Sequence, residues 1–140
     1  MDGGASWQPG DPQLPLAAIG DASTLVIDPQ QPQTLYAATK DCVYVSHDGG
    51  ASFSPMRRGL PISCLGEGLL IDPRTPSRLY LLDQQGVFRW RADLGSWVPI
   101  NDGLPPLADL RGSFALDPRH PGTLYLGTTA HGLYRLDLDR

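Results

Sequence analysis

The chain has 140 residues, 41% of them hydrophobic, and a formal net charge of −4 with both signs spread along its length. That size suits one domain with a substantial core, and the apolar content excludes a disordered acidic tail. The weak negative charge argues against a nucleic acid or an anionic membrane as partner, and no apolar run approaches the roughly 20 residues of a membrane span.

In chain order, residues 1–10 hold "DGGASWQPG" and read as an isolated outer strand. Residues 23–58 form a first complete unit of four short strands, "TLVIDP", "TLYAAT", "CVYVSH" and "SFSPM". Residues 67–101 repeat it as "LLIDP", "RLYLLD", "GVFRWR" and "SWVPI". Residues 112–140 give "FALDP", "TLYLGT" and "GLYRLD", a third unit without its fourth strand. In each unit the first strand, A, is an apolar run, which predicts burial on both faces. Strands B and C are rich in β-branched and aromatic residues with turn residues between them. Strand D carries a proline two residues after its aromatic (Pro9, Pro55 and Pro99). Proline cannot donate to a ladder, so strand D belongs at a sheet edge. No helical periodicity appears, and no basic segment before an apolar core marks a signal peptide.

The units share a period. "DPQQPQTLY" starts at Asp28, "DPRTPSRLY" at Asp72 and "DPRHPGTLY" at Asp117, 44 and 45 residues apart. Each Asp-Pro-x-x-Pro segment reads as the A–B turn, with an aspartate able to accept backbone N–H groups and prolines that preset φ. A period near 45 residues with four strands suits a β-propeller blade. The expected fold is all-β: residues 1–140 form one repeat domain of three four-stranded blades. Three blades do not close a ring by themselves, since propellers normally have 4–8. The missing strand D at one end and the isolated one at the other are complementary. The expectation is a homodimer that closes a six-bladed ring by strand exchange.

A second motif recurs at the C–D hairpins. Ser46, Asp48, Gly50, Ser52 and Phe53 lie in "SHDGGASF"; Asp2, Gly4, Ser6 and Trp7 lie in "DGGASW"; Asp93, Gly95, Ser96 and Trp97 lie in a copy one residue shorter. A phosphate loop would need a helix after the glycines, and a calcium loop would need more spaced carboxylates and a terminal glutamate. The motif resembles the Asp-box of BNR-type repeats, Ser-x-Asp-x-Gly-x-Thr-Trp, with serine for threonine and phenylalanine for tryptophan in the fullest copy. Such repeats occur in sialidases, sortilin-type receptors, xyloglucan-active glycosidases and photosystem-assembly factors. The resemblance covers the whole chain and implies a propeller fold, Asp-boxes on the face away from catalysis, and proteins that are often extracytoplasmic. The residue chemistry also fits a structural job. The aspartate can bond the donors of its own turn, the second glycine can take positive φ, and the aromatic (Phe53 or Trp97) is expected to be buried.

Function would then sit on the opposite face, where the B–C and D–A loops meet. The D–A loops are the longer ones, and long loops on a rigid scaffold often carry function. Candidate ligand-face residues are Asp21, Asp41, Arg57, Arg58, Glu67, Asp83, Arg111 and His131. Asp21, Glu67 and Arg111 each precede a strand A and are expected near a central channel. Hydrolysis of a glycoside needs two carboxyl groups about 5–10 Å apart, and location alone nominates Asp21, Asp41, Glu67 and Asp83. The arginine triad and tyrosine–glutamate pair that a sialidase would show have no residue-by-residue counterpart here. His47, His120 and His131 lack metal-ligand spacing, no nucleophile elbow is present, and no motif requires a cofactor. Cys42 and Cys64 form neither a metal spacing nor a CxxC pair. They read as two small buried hydrophobes, or as a disulfide that spacing alone does not decide; free thiols would suit a reducing compartment. The expected function is a non-catalytic interaction or scaffold module that binds protein or glycan, with part of a carbohydrate-active propeller as the alternative.

Overall fold

The computed structural model describes residues 6, 22–105 and 113–138. Their regular structure is three consecutive antiparallel sheets. The first contains β1 (Ala22–Ile27), β2 (Leu35–Thr39), β3 (Cys42–Ser46) and β4 (Ser54–Pro55) in chain order. The second contains β5 (Gly66–Ile71), β6 (Leu79–Asp83), β7 (Gly86–Arg91) and β8 (Ser96–Pro99) in the same order. The third contains β9 (Phe114–Leu116), β10 (Thr123–Gly127) and β11 (Leu133–Asp137). Among the described residues β11 pairs with β10 alone. The isolated strand expected near the N-terminus lies outside the described residues, Ser6 excepted.

Both prolines sit where a missing donor is harmless. Pro55 faces Tyr44 and Pro99 faces Phe88 on edge strands. The following residue resumes pairing in each case: Met56 N donates to Val43 O at 2.8 Å and Ile100 N to Val87 O at 2.9 Å.

The Asp-Pro turns repeat a single device. Asp28 Oδ1 accepts from the backbone of Gln30 and Gln31 at 2.8 and 3.1 Å. Asp72 Oδ1 accepts from Arg74 and Thr75 at 2.9 and 3.3 Å, and Asp117 Oδ1 from Arg119 and His120 at 2.8 and 3.2 Å. A carboxylate with two N–H donors two and three residues on locks the chain reversal between strands A and B.

The core lies between sheets rather than within them. One apolar cluster joins Ala38 and Val43 of the first sheet to Leu69, Leu79, Leu81, Phe88 and Trp97 of the second. Another joins Tyr80, Leu82 and Val87 of the second to Leu124 and Leu126 of the third. Trp97 is 1% exposed and anchors the first joint. Its ring meets Trp90 edge-on at 5.5 Å, and its Nε1 donates across the joint to Met56 O at 2.9 Å. Phe53 holds the corresponding place on the first sheet and is only half-buried, against expectation. No sheet among the described residues packs on that side of it.

For the same reason the inner strands depart from the expected burial on both faces. Leu25 and Ile27 of β1 are 56% and 52% exposed, while every residue of β6, the second strand of the middle sheet, is buried. Burial follows a sheet's position in the stack, and among the described residues only the middle sheet has neighbouring sheets on both sides.

The two cysteines are buried, as small hydrophobes would be, and they are also joined in a disulfide. The bridge ties the β2–β3 hairpin to the loop before β5, and so clamps the first sheet to the second. Cys42 has φ +97°, the only described non-glycine residue with positive φ. The same hairpin position is Gly86 in the second sheet and Gly132 in the third, with φ +137° and +78°. Glycine takes such a conformation freely and cysteine does not.

A prediction follows from this exchange of glycine for cysteine. Replacing both cysteines with alanine should lower the unfolding free energy by about 3 kcal/mol, the loss expected for a loop of this length. Cys42→Gly with Cys64→Ala should recover about 1 kcal/mol of that loss, because glycine relieves the positive φ. Equal denaturant midpoints for the two double variants would contradict the backbone argument.

Candidate functional site

Two ends of the stack are chemically distinct. At one end the C–D hairpin and the A–B turn touch: Gly49 N donates to Gln33 O at 2.8 Å, and Thr34 Oγ1 lies 3.4 Å from His47 Nδ1. At the other end the B–C hairpins meet the D–A loops, through the disulfide and through Leu65 N, which donates to Asp83 Oδ2 at 2.6 Å.

The inner strands of all three sheets border a cleft of about 260 Å³. Thr24 of β1, Glu67 to Leu70 of β5, Leu82 of β6, Ser113 just before β9 and Phe114 of β9 line it. Glu67 is aimed by a bulge. Gly66 pairs with Asp83 and Gly68 with Leu82, so Glu67 is an extra residue without a partner on β6. A bulge of this kind re-aims a side chain beside a binding surface. β1 has its counterpart at Ser23, between Ala22 and Thr24. Ser23 Oγ bonds to Ala38 O and Gly66 O and holds β1 against β5. Gly68 has a packing reason: a Cβ there would lie 2.8 Å from the Phe114 ring. The cleft thus offers one carboxylate, two hydroxyls and one aromatic edge, a mixture that suits a polyhydroxylated ligand.

The other candidates fall in different places. Asp21 and Arg111 lie outside the described residues, as do Asp2, Gly4 and Trp7. Asp83 is buried, not displayed on a ligand face. Its Oδ1 accepts from Gln85 N at 2.7 Å and its Oδ2 from Leu65 N, so both oxygens serve the backbone. Burial raises its pKa, the two backbone donors oppose that rise, and the negative charge of Glu67 adds to it. Thr39 and Thr128 hold the same position in the other sheets, where they accept from Asp41 N and His131 N, each at 3.0 Å. The position is a hairpin cap, and Asp41 and His131 are exposed residues of the capped loops. Arg57 and Arg58 follow the outer strand β4. Arg57 Nη2 donates to Ile62 O at 3.2 Å, and Arg58 O accepts from Trp97 N at 2.9 Å. These contacts hold the Arg57 side chain and the Arg58 backbone beside the outer strands, and neither residue lines the inner-strand cleft. Thr24, Ser113 and Phe114 carry no motif. Their alignment at the ends of equivalent strands A was the only signal available in the sequence.

The opposite end is a bonded scaffold. Asp48 Oδ1 accepts from Ser46 Oγ at 2.8 Å and Ser52 N at 2.9 Å, and Asp48 Oδ2 accepts from Ser52 Oγ at 2.5 Å. Ser46 Oγ accepts from Gly50 N at 2.9 Å, and Gly49 and Gly50 both have positive φ. The Ser52 bonds, followed by that of Ser46, hold the Asp48 pKa down at about 2. Asp93 does not repeat this network. Its copy is one residue shorter, and its carboxylate pairs with Arg91, at 2.8 Å to Nε and 2.6 Å to Nη2. Ser96 Oγ donates instead to Arg58 O and Trp97 O. Gly95 keeps positive φ in the tightened turn. Among the described residues, no group of three or more His, Cys, Asp or Glu is placed to hold a metal ion.

No family model matches the chain. An oligoxyloglucan-reducing end-specific xyloglucanase of Emericella nidulans is 39% identical over 71 residues, covering 48% of this chain and 8% of that protein. A Paenibacillus xyloglucanase is 33% identical over 96 residues, covering 66% and 9%. Among solved structures, the GH74 xyloglucanase of Xanthomonas campestris superposes with a TM-score of 0.63 at 20% identity, over 81% of this chain and 19% of its own. An ancestral GH74 enzyme gives 0.64 at 20% identity, over 82% and 17%. The sequence relatives are xyloglucanases, and the GH74 structural neighbours share a propeller-type fold with these sheets. The three sheets fit consecutive blades of such a propeller. The chain spans less than a tenth of the length of the first two sequence relatives.

The Asp48 network predicts a pH signature. A carboxylate whose folded pKa lies near 2, below its ordinary 3.8, adds stability above the ordinary value and loses it as pH falls toward 2. Asp48→Asn should therefore melt below the parent at pH 6, and the gap should narrow steadily between pH 4 and pH 2. A gap independent of pH would show that the ionised carboxylate does not hold the turn.

Proposed function

We propose that the chain is three consecutive blades of an Asp-box β-propeller, and that its inner-strand cleft binds a β-glucan of the xyloglucan type. The observation that carries this reading is the joint likeness to xyloglucanases, in sequence and in fold. It favours a carbohydrate-active segment over a scaffold without a saccharide ligand. The cleft chemistry agrees. Glu67 can accept hydrogen bonds from sugar hydroxyls, Thr24 and Ser113 can donate or accept, and Phe114 offers an apolar surface to C–H groups.

Catalysis by this segment alone is a different matter. A glycosidase places two carboxyl groups on either side of the scissile bond. Here Glu67 lines the cleft while both oxygens of Asp83 are held by backbone donors. The segment supplies the binding side of the cleft and one carboxylate. A second carboxylate would come from other blades.

Affinity electrophoresis in gels containing xyloglucan tests this directly. The chain should be retarded, and Glu67→Gln should weaken retention at least about tenfold, the worth of a charge-assisted hydrogen bond. Asp48→Asn, at the opposite end, should bind like the parent. Unretarded migration of the parent chain, or equal losses in the two variants, would overturn the proposal.

A further inference from the structure

The two joints between sheets share one pattern. Val26, Tyr36 and Val43 of the first sheet pack toward the second, and Leu70, Tyr80 and Val87 hold the same places where the second packs toward the third. The receiving faces also correspond. Leu69, Ile71, Leu79 and Phe88 receive the first sheet, and Phe114, Leu116, Leu124 and Tyr134 receive the second.

A polar contact accompanies each joint at the Asp-Pro turns. Gln30 Nε2 donates to Arg74 O at 3.3 Å, and Arg74 Nη2 donates to Pro118 O at 3.4 Å. In the first and second sheets the residue after the Asp-Pro thus reaches the turn of the next sheet.

Among the described residues both faces recur without a covering sheet at the ends of the stack. The third sheet presents Ala115, Tyr125 and Leu133 in the donating positions, with Leu133 71% exposed. Arg119, the residue after its Asp-Pro, is exposed as well. The first sheet presents Leu25, Ile27, Leu35 and Tyr44 in the receiving positions. Leu25, Ile27 and Leu133 are three of the six exposed large hydrophobics among the described residues. Apolar surface gathered at two complementary faces marks an interaction site.

We propose that the third sheet of one chain packs on the first sheet of a second copy, head to tail, by repeating the joint already made twice within the chain. Leu133 meets Leu25 and Ile27 across it, and Arg119 reaches the Asp28–Gln30 turn of the second copy, where the Asp28 carboxylate adds attraction. The interface is heterologous, so it needs closure to avoid filaments. Two copies give six sheets, within the 4–8 of closed propellers, whereas three copies give nine. The proposal stands on the internal joints and does not depend on glycan binding.

Sedimentation velocity at micromolar concentration should show a particle of twice the 15.1 kDa chain mass. Leu133→Glu should weaken association at least about tenfold, since a carboxylate would be buried without a partner. Its circular dichroism and melting temperature at the monomer concentration should match the parent, because Leu133 is exposed there. Mixing an Arg119→Cys chain with a Gln30→Cys chain under oxidation should give the heterodimer, with little cross-linking in either variant alone. A parent chain that stays monomeric would overturn the proposal. So would cross-linking of Arg119→Cys to itself as readily as to Gln30→Cys, because that would be an isologous contact.

Discussion

A four-stranded meander with apolar residues on both faces cannot be stable alone, and this constraint organises the molecule. Each sheet here buries its faces only by stacking on another. The resulting cores are shared between neighbours, with Trp97 anchoring one joint and Tyr80 and Leu124 meeting at the other. The middle sheet has the deepest strand because, among the described residues, it alone is covered on both faces. Hydrogen bonds and a covalent bridge reinforce the same joint: the Trp97 indole to Met56, Ser23 to Gly66, and Cys42 to Cys64. None of these contacts would form in an isolated unit, so the repeat behaves as a stack whose stability accrues joint by joint.

Stacking also makes the two ends chemically different. Strands alternate in direction, so every A–B turn and C–D hairpin falls at one end and every B–C hairpin and D–A loop at the other. At the first end, aspartates are consumed by turns: Asp28, Asp72 and Asp117 accept from the backbone, and Asp48 is closed into a network with Ser46 and Ser52. At the second end, strand starts converge around a cleft, and a bulge leaves Glu67 without a backbone partner across β6. Carboxylates bound to their own turns build the fold. Glu67, set off by a bulge, lines the cleft instead.

Much of this was legible in the sequence because repetition reports architecture. The 44- and 45-residue spacings, the Asp-Pro turns and the edge prolines all match the observed strand order. What escaped has a common cause: it depends on which neighbour a residue meets. Cys42 fills a glycine position of the hairpin, and only the approach of the loop before β5 brings Cys64 to it. Asp93 matches the hairpin motif by identity, yet the missing residue delivers its carboxylate to Arg91. Leu25 and Ile27 read as core, but their burial needs a sheet the described chain does not provide. Asp83 reads as a loop carboxylate until Leu65 folds over it. Phe114 and Ser113 carry no signature and become part of a site only because β9 lies beside β5.

The claim that joins fold to function is that a saccharide occupies the inner-strand cleft and not the bonded turns at the other end. Mapping amide chemical shifts during titration with a xyloglucan oligosaccharide measures this most directly. The account predicts saturable shifts at Thr24, Glu67, Gly68, Ser113 and Phe114, with Ser46 to Phe53 unmoved. Shifts confined to Ser46–Phe53 and the Asp-Pro turns would contradict it.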